Sequence, residues 1–389
     1  MRQVVRILQK QVARAALHFP AVVLTGPRRA GKTTLFRQVL PHAEYVLLED
    51  PDIGQRAARD PHAFLESMRR PAVLDEIQNV PFLFNYIRTV IDNNPRRMGQ
   101  WFFTGSQEAP LMQGVGESMT GRAAILQLMP FSLAETPNAG MFEGGFPEVL
   151  ADPGGRYLWF SSYMQTYLER DVRAVTKVKD LITFRRFLSL LASRHGQMIN
   201  KTDLGAPLGV SVPTIGEWMR ILEITGQIIV VPPYFENFGK RLVKTPKVYI
   251  ADSGMACHLL GIQSRAELER SPFLGAIFEG FVASELIKSQ INRGGRKELY
   301  YFRDHQGLEV DFLFPTRKGA LWMIECKASK TVFPQMAAPM LSLKKALTVP
   351  PEKLLVVHRK AAGARPTEAL TPGVSAIPVE DLIPLLNEK

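Results

Sequence analysis

The sequence predicts an α/β protein in which a parallel five-stranded sheet is followed by smaller domains. Its 389 residues exceed one ordinary core, because domains usually hold roughly 100 to 200 residues. Short apolar runs alternate with helix-compatible spacers in the first third of the chain, which is typical of a parallel sheet covered by helices. The five runs are "AVVLT", "YVLL", "AVLD", "WFFT" and "AAILQL".

Two stretches rich in Gly, Pro or polar residues predict the domain boundaries. The first lies around residues 129–155 and the second at 261–273. We therefore expect an N-terminal core over residues 1–150, a helical linker with a middle domain over 151–262, and a C-terminal domain over 263–389.

Composition favours a cytoplasmic globular protein with no membrane association. No run approaches the roughly 18 apolar residues that cross a bilayer, and the N-terminus lacks the apolar block of a signal peptide. The basic, amphipathic first 17 residues leave a transit peptide or a membrane-surface helix open, but a packed helix is the simpler interpretation. Cys257 and Cys326 are too few and too far apart for a disulfide framework or a zinc site.

The formal net charge of +11 suits a polyanionic partner such as DNA, although solvated surface lysines explain much of any such excess. The excess is densest in residues 181–250, which hold nine basic and four acidic residues.

The stretch "GPRRAGKT" from Gly26 to Thr33 matches the pattern G-x-x-x-x-G-K-[ST] of a phosphate-binding loop between a strand and a helix. Such a loop wraps ATP phosphates with backbone N–H groups, while its lysine reaches the β- and γ-phosphates and its hydroxyl binds Mg²⁺. We therefore expect Lys32 to be catalytic and Thr33 to hold the metal. The residues expected to bind the nucleotide are Gly26, Pro27, Arg28, Arg29, Ala30, Gly31, Lys32, Thr33 and Thr34.

Two further strand ends complete the predicted ATP site. Asp75 ends the run "AVLD", at the sheet edge where ligands bind, and is expected to hold Mg²⁺. The adjacent Glu76 is expected to accept a proton from the attacking water, its alternative role being a charge at a helix start. Ser106, after the strand "WFFT", is expected to sense the γ-phosphate.

The motifs "GPRRAGKTT", "VLDEIQ" and "FTGS" resemble those of AAA-type ATPases. More closely, the chain resembles a prokaryotic ATPase family that joins this core to a winged helix and a restriction-endonuclease-like domain, with likeness also in "GGFPEV", "YLERDV", "KVYIADSG" and "FEGFVASEL". The resemblance implies a possible homo-oligomeric ring in which an arginine completes the site, often from a neighbouring subunit. Arg122 in "TGR" is the matching position, its alternative being a surface arginine at a strand edge.

The middle segment reads as three helices followed by two strands around the polar tip "ENFGKR", the order of a winged helix-turn-helix. Residues 212–224 are expected to form the recognition-type helix, with Arg220 facing DNA. Lys240 and Arg241 in the tip are expected to contact phosphates. A packing or oligomerisation module is the alternative, because the helix carries one basic residue.

The C-terminal domain carries a pattern that resembles the PD-(D/E)xK nuclease core. Asp311 lies on one predicted strand and Glu325-x-Lys327 on the next, where positions i and i+2 share a face. In that core two carboxylates hold Mg²⁺ and the lysine assists a water. The resemblance also implies an acidic residue on a preceding helix, which Glu279 matches, with Glu285 as the fallback.

Gln335 in "FPQM" would be an accessory polar contact. The alternative for Glu325 and Lys327 is a solvated ion pair on an exposed strand face.

Three functions follow as hypotheses. The first is an ATPase that remodels DNA or moves along it. The second is an ATP-dependent switch that binds a protein partner, and the third is an ATP-controlled, metal-dependent DNA nuclease. Stimulation of ATP turnover by DNA distinguishes the first from the second.

Overall fold

The computed structural model describes residues 4–105, 116, 118–167, 181–234, 244–316, 319–348, 350–360 and 368–387. Within these ranges the N-terminal part holds a five-stranded parallel sheet with the strand order β2-β3-β4-β1-β5. Its strands are β1 (Ala21–Thr25), β2 (Glu44–Leu47), β3 (Ala72–Asp75), β4 (Trp101–Thr104) and β5 (Ala123–Gln127). The predicted parallel five-stranded sheet is confirmed.

Helices cover both faces of this sheet. Val22 and Leu24 of β1 pack toward one face, where Leu8 and Val12 at the first helix are fully buried, and Val23 packs toward the opposite face. The first helix is therefore packed on the core. The helices of this part are α1 (Gln9–His18), α2 (Lys32–Val39), α3 (Pro51–Arg59), α4 (Pro61–Glu66) and α5 (Leu83–Asn93).

The middle part is a helical region with a small antiparallel sheet of order β6-β8-β7 in the residues described. Ser211 begins one of its helices by accepting a hydrogen bond from Thr214 N–H, as N-cap serines do. Phe184, Phe187 and Trp218 form its aromatic core. The elements are α6 (Pro147–Ala151), α7 (Arg156–Tyr167), α8 (Leu181–Ser193), β6 (Gln197–Met198), α9 (Lys201–Gly205), α10 (Val212–Ile224), β7 (Ile228–Val231), β8 (Lys247–Ile250) and α11 (Ser253–Leu259).

The C-terminal part contains a mixed sheet, which in the described chain has six strands in the order β13-β14-β12-β11-β10-β9. The long helix α13 packs on one face and the short helix α14 on the other. The elements are α12 (Arg265–Arg270), α13 (Leu274–Ile291), β9 (Tyr300–Arg303), β10 (Glu309–Pro315), β11 (Leu321–Lys327), α14 (Ala338–Lys344), β12 (Lys353–His358), β13 (Glu368–Thr371), β14 (Val374–Pro378) and α15 (Val379–Asn387).

The strands β7 and β8, called here the β7–β8 pair, pack against the C-terminal part. Val231 and Tyr249 share one buried cluster with Phe278 of α13 and Phe312 of β10. Two backbone hydrogen bonds join the end of β7 to Tyr301 of β9: Tyr234 N–H donates to the Tyr301 carbonyl at 2.7 Å, and Tyr301 N–H donates to Pro232 at 3.1 Å. The middle and C-terminal parts thus share a core.

Among the helices in the described ranges, none has the length and apolar content needed to cross a membrane.

Candidate nucleotide-binding site and carboxylate cluster

The loop between β1 and α2 adopts the conformation that a phosphate-binding loop requires. Gly26 and Gly31 have φ angles of 131° and 96°, which side-chain-bearing residues rarely adopt. A Cβ atom at Gly26 would lie 2.0 Å from the Leu128 carbonyl oxygen, so the close approach of the backbone that follows β5 also excludes a side chain. Arg29 is held in the left-handed region as well, at φ 61°, a strain that is common at ligand-binding loops.

The Lys32 side chain lies over this loop. Its Nζ atom donates to the carbonyl oxygens of Gly26 at 2.9 Å and Pro27 at 3.0 Å, and the residue is buried. Within the same loop Ala30 is buried and Arg28 is half-buried, whereas Thr34 on the first turn of α2 is exposed. The ammonium group is therefore held at the phosphate-facing loop by neutral carbonyl acceptors.

Asp75, at the end of β3, lies beside the start of α2. Its Oδ2 atom accepts a hydrogen bond from Thr33 Oγ1 at 3.0 Å and another from the Tyr45 hydroxyl, and its Oδ1 atom accepts one from Thr104. Burial raises the pKa of Asp75, while the hydrogen bonds from Thr104 and Thr33 lower it. A hydroxyl and a carboxylate in contact are oxygen ligands that Mg²⁺ prefers, so these two residues fit the metal.

Glu76 has φ 56° and ψ 47°, a left-handed conformation that is uncommon for a residue with a side chain. Its N–H donates to Thr104 Oγ1 at 3.2 Å, and its carboxylate accepts from Gln78. Strain of this kind is concentrated at functional sites. The backbone thus turns sharply where the metal-binding and proton-accepting carboxylates were predicted to lie.

Thr104 and Tyr45 belong to this site but were not predicted. Thr104 ends β4 and Tyr45 is the second residue of β2, the two strands that flank β3, and both side chains donate to Asp75. For Thr104 the signal in the sequence was a polar residue at the end of the apolar run "WFFT". The γ-phosphate-sensing role expected at this strand end was assigned to Ser106 instead. Ser106 lies outside the described residues.

Arg122 does not lie near the phosphate-binding loop of its own chain. It directly precedes β5, whose first residue Ala123 pairs with Ala21 at the start of β1, whereas the loop follows the end of β1. Because a five-residue strand spans roughly 17 Å, Arg122 and the phosphate-binding loop lie at opposite ends of the strands. Arg122 Nε and Nη2 instead donate to the Asp92 carboxylate at 2.6 and 2.9 Å.

The loop is also tied to other parts of the chain. The buried Arg6 donates through Nη1 to the Ala30 carbonyl at 3.1 Å and through Nε to Glu135 at 3.0 Å. A Cβ atom at Gly226, in the turn between α10 and β7, would lie 3.0 Å from Pro27 Cγ. The phosphate-binding loop is therefore in contact with the turn that leads into the β7–β8 pair.

A second group of charged residues lies on the C-terminal sheet. The structure brings together the four predicted residues Glu279, Asp311, Glu325 and Lys327 with Glu309 and Lys247, and these six are called here the carboxylate cluster. Asp311 Oδ2 accepts from the Cys326 N–H at 2.8 Å. Lys327 Nζ donates to Glu325 Oε1 at 2.7 Å.

Lys247, from β8 of the middle part, was not predicted to belong to this cluster. Its Nζ atom lies 2.9 Å from Glu279 Oε1, 2.6 Å from Glu309 Oε1 and 3.9 Å from Asp311 Oδ1. Tyr249, two residues further along β8, donates from its hydroxyl to the same Glu279 oxygen at 2.5 Å. Because positions i and i+2 share a strand face, both side chains point into the cluster.

Burial controls the protonation of the cluster. It raises the pKa of both Glu279 and Glu325 to about 7, with Asp311 adding to each rise and the neighbouring lysines opposing it. Burial also raises the pKa of Asp311. Burial lowers the pKa of Lys247, but the surrounding carboxylates outweigh it, so the net pKa is raised and the ammonium stays charged.

The cluster as it stands does not fit a divalent metal ion. In the part of the chain that the structure describes, no group of three or more His, Cys, Asp or Glu side chains is arranged to hold one. The Lys247 ammonium contacts Asp311, one of the two strand carboxylates expected to hold Mg²⁺, and Glu279, the acidic residue expected on the preceding helix.

Family models match three successive regions of the chain. Residues 18–136 match the model of an AAA domain, residues 136–266 a domain of unknown function (DUF8612), and residues 274–382 another (DUF4143). The chain is 33% identical over 327 residues to the uncharacterized protein Rv2008c of Mycobacterium tuberculosis and equally to Mb2031c of Mycobacterium bovis, covering 82% of this chain and 73% of each relative. The chain belongs to their family.

This family member carries an AAA P-loop ATPase domain, followed by a helical region and a mixed-sheet domain. Among solved structures, the Walker-type ATPase paby2304 of Pyrococcus abyssi is similar at a TM-score of 0.41 and 14% identity, covering 65% of this chain and 94% of that chain.

The remaining predicted residues of this AAA-domain protein lie apart from both sites or outside the described residues. Glu285 accepts from Leu133 N–H at 2.8 Å and pairs with Lys288 at 3.1 Å, so its carboxylate faces the segment after β5. Gln335 and Arg220 are exposed, the latter on α10. Lys240 and Arg241 fall outside the described residues.

Proposed function

We propose that the protein hydrolyses ATP and uses the reaction to remodel DNA or to move along it. The observation that carries the ATPase proposal is the contact of Thr33 Oγ1 with Asp75 Oδ2 at 3.0 Å beside the phosphate-binding loop. These two residues would hold Mg²⁺, which would supply charge neutralisation at the phosphates. Lys32 would exchange its carbonyl partners for phosphate oxygens, and Glu76 would accept the proton of the attacking water.

Arg122 fits this proposal only as a residue supplied to a neighbouring subunit. In its own chain Arg122 lies at the opposite ends of the strands from the phosphate-binding loop, but its side chain is partly exposed. A homo-oligomer that places this edge against the next phosphate-binding loop would bring the guanidinium to the transferred phosphate.

The DNA part of the proposal is supported by the middle and C-terminal parts. The order α8, β6, α9, α10, β7, β8 within the expected 151–262 domain supports the expected winged helix. Basic residues are exposed around its helices, namely Arg185, Arg186, Arg194, Lys201 and Arg220. In the expected 263–389 domain, Asp311 of β10 and Glu325 and Lys327 of β11 lie in one cluster with Glu279 of α13, which supports the expected restriction-endonuclease-like arrangement.

The test is the ATPase rate with and without single-stranded, duplex and branched DNA. The proposal expects stimulation that falls as salt rises, because phosphate contacts release counterions. Arg185→Glu with Arg186→Glu should weaken DNA binding and stimulation. The matched control, Arg56→Glu with Arg59→Glu on the exposed face of α3, should leave both unchanged. A rate that is indifferent to every DNA would reject the DNA part and leave the ATPase part standing.

A second candidate is an ATP-dependent switch that binds a protein partner. The contact of the phosphate-binding loop with the Gly226 turn favours it, since a nucleotide that reorders the loop would act directly on the β7–β8 pair. A switch predicts slow turnover that DNA does not change. It also predicts that hydrogen exchange in β7 and β8 differs between the nucleotide-free and the ATP-bound chain.

A further inference from the structure

Lys247 lies on a strand of the middle part, but its ammonium group lies among carboxylates of the C-terminal part. Its backbone pairs with Met198 of β6 and Val231 of β7 in the middle sheet. Its Nζ atom lies within the carboxylate cluster of the C-terminal sheet, and only 5% of its side chain is exposed. A fully charged lysine is almost never buried to this extent unless carboxylates surround it.

Several contacts hold this lysine in place. Its Nζ atom lies 5.5 Å from the centre of the Tyr301 ring, and the Tyr301 hydroxyl donates to the Thr245 carbonyl, two residues before Lys247. His195, just before β6, presses against α13 so closely that a Cβ atom at Gly280 would lie 2.0 Å from its Nε2 atom. These contacts hold the backbone on both sides of Lys247 against the C-terminal domain, with the ammonium group directed into the cluster.

The charges of the cluster are nearly balanced without any added ion. Its carboxylates are Glu279, Glu309, Asp311 and Glu325, and the cations in contact with them are Lys247, Arg303 and Lys327. Lys247 is the member that forms ion pairs with Glu279 and Asp311, and the charge of Lys327 also acts on Asp311. The Lys247 ammonium thus occupies the role that a metal ion would have there.

We propose that Lys247 is the resident cation of the carboxylate cluster and that the cluster is an electrostatic latch between the β7–β8 pair and the C-terminal domain. The carboxylates bind the lysine instead of a divalent metal ion, and the site stays closed to metal while the pair is docked. This inference rests on the cluster geometry and is independent of whether the chain acts on DNA.

The first test measures Mn²⁺ binding by electron paramagnetic resonance on the full, nucleotide-free chain. All variants carry Asp75→Asn, which removes the binding site predicted at the phosphate-binding loop. With Lys247 present, we expect no Mn²⁺ at the cluster. Lys247→Met should bind Mn²⁺ at least about tenfold more tightly, the ratio expected when one competing charge leaves the site. Adding Glu279→Gln should remove the gained binding.

Lys327→Met is the matched control, because it also removes one cluster lysine but leaves Lys247 on Glu279 and Asp311. We expect it to gain no comparable Mn²⁺ affinity. Tight Mn²⁺ binding by the chain that retains Lys247, lost on Asp311→Asn, would overturn the proposal without any need for the Lys247 variant to fold. Equal gains in the two lysine variants would also overturn it.

The second test measures hydrogen exchange and does not depend on metal. Lys247→Met should speed amide exchange in Ile228–Val231 and Lys247–Ile250 by about tenfold or more relative to Lys327→Met, because the latch no longer holds the pair. Lys247→Arg keeps the charge and should retain both slow exchange and exclusion of Mn²⁺. Unchanged exchange in a folded Lys247→Met chain would contradict the latch.

Discussion

The phosphate-binding loop and the carboxylate cluster both combine a buried lysine with nearby carboxylates, but they pair them differently. At the loop, Lys32 donates to two neutral backbone carbonyls, and Asp75 accepts from hydroxyl groups. In the cluster, Lys247 contacts three carboxylates directly. The lysine of the loop thus donates to carbonyl groups, and its charge opposes the rise that burial causes in the pKa of Asp75, whereas the lysine of the cluster contacts carboxylates directly.

This difference determines what each site can bind. A lysine held by neutral carbonyls can exchange them for phosphate oxygens at small cost, and a carboxylate held by hydroxyls can still bind a metal ion. Separating a buried lysine from its carboxylates leaves uncompensated charges and is costly. The side chains of the loop can thus bind ATP and Mg²⁺ at small cost, whereas the carboxylates of the cluster already bind a lysine of the same chain.

The largest expected effect is on ATP hydrolysis at the loop. Lys32→Ala removes the charge that faces the phosphates, and Glu76→Gln removes the proton acceptor, so each should lower the turnover rate by about 10²-fold or more. A phosphate-release assay measures both. Lys344→Ala, on the exposed face of α14, serves as the control with unchanged turnover. Full turnover in both loop variants would remove the ATPase assignment.

Lys247 should contribute more to the free energy of unfolding than Lys32, because Lys247 contacts carboxylates and Lys32 donates to neutral carbonyls. Lys247→Met leaves buried carboxylates without their cation and should lower the free energy of unfolding by about 3 kcal/mol. Lys32→Met loses two hydrogen bonds to carbonyls and removes the need to bury a charge, so its loss should be much smaller. Denaturant unfolding of both variants measures this. Equal losses would show that the two lysines are equivalent in the folded chain.

The pH dependence of stability should also come from the cluster. The folded pKa of Glu325 is about 7, raised by burial, against 4.5 for the exposed group. Because the folded chain holds this proton more tightly, the stabilisation is fully present below pH 4.5 and is lost as the pH rises through 7. The loss is on the order of 3 kcal/mol.

Glu325→Gln should reduce the change of the melting temperature between about pH 5 and pH 8 without abolishing it, since the amide does not titrate while Glu279, whose pKa burial also raises to about 7, still does. The amide oxygen can still accept from Lys327, so folding should be retained. Asp92→Asn, an exposed carboxylate outside the cluster, should keep the slope of the unmodified chain. An unchanged slope in Glu325→Gln would assign the pH dependence to other groups.

The sequence predicted the parallel sheet and the loop because their signals are local. Five apolar runs with helical spacers predict the strands, and the loop pattern from Gly26 to Thr33 carries its chemistry within eight consecutive positions. Asp75 could be placed because it ends a buried run. Thr104 and Tyr45 could not, since their contacts depend on the strand order that places β2 and β4 on either side of β3.

In the carboxylate cluster, too, the contacts between domains could not be predicted from local sequence signals. Asp311, Glu325 and Lys327 lie on two adjacent strands of one hairpin, so their proximity follows from the spacing of the sequence. Lys247 reaches them only because the β7–β8 pair docks on β9 and α13. No local pattern encodes a contact that depends on how two units pack.

The smallest expected effect concerns Arg122. It tests whether the phosphate-binding loop, unlike the carboxylate cluster, uses a residue of a neighbouring subunit. Its pair with the exposed Asp92 is screened by solvent, so Arg122→Ala should leave the melting temperature of the chain unchanged. If a neighbouring loop uses Arg122, turnover per chain should rise with protein concentration in the unmodified protein. That rise should be absent in the variant, while Asp92→Ala retains it. A turnover rate that is independent of concentration and equal in all three proteins would show that Arg122 has no role in hydrolysis, and that the loop, like the cluster, is served by its own chain alone.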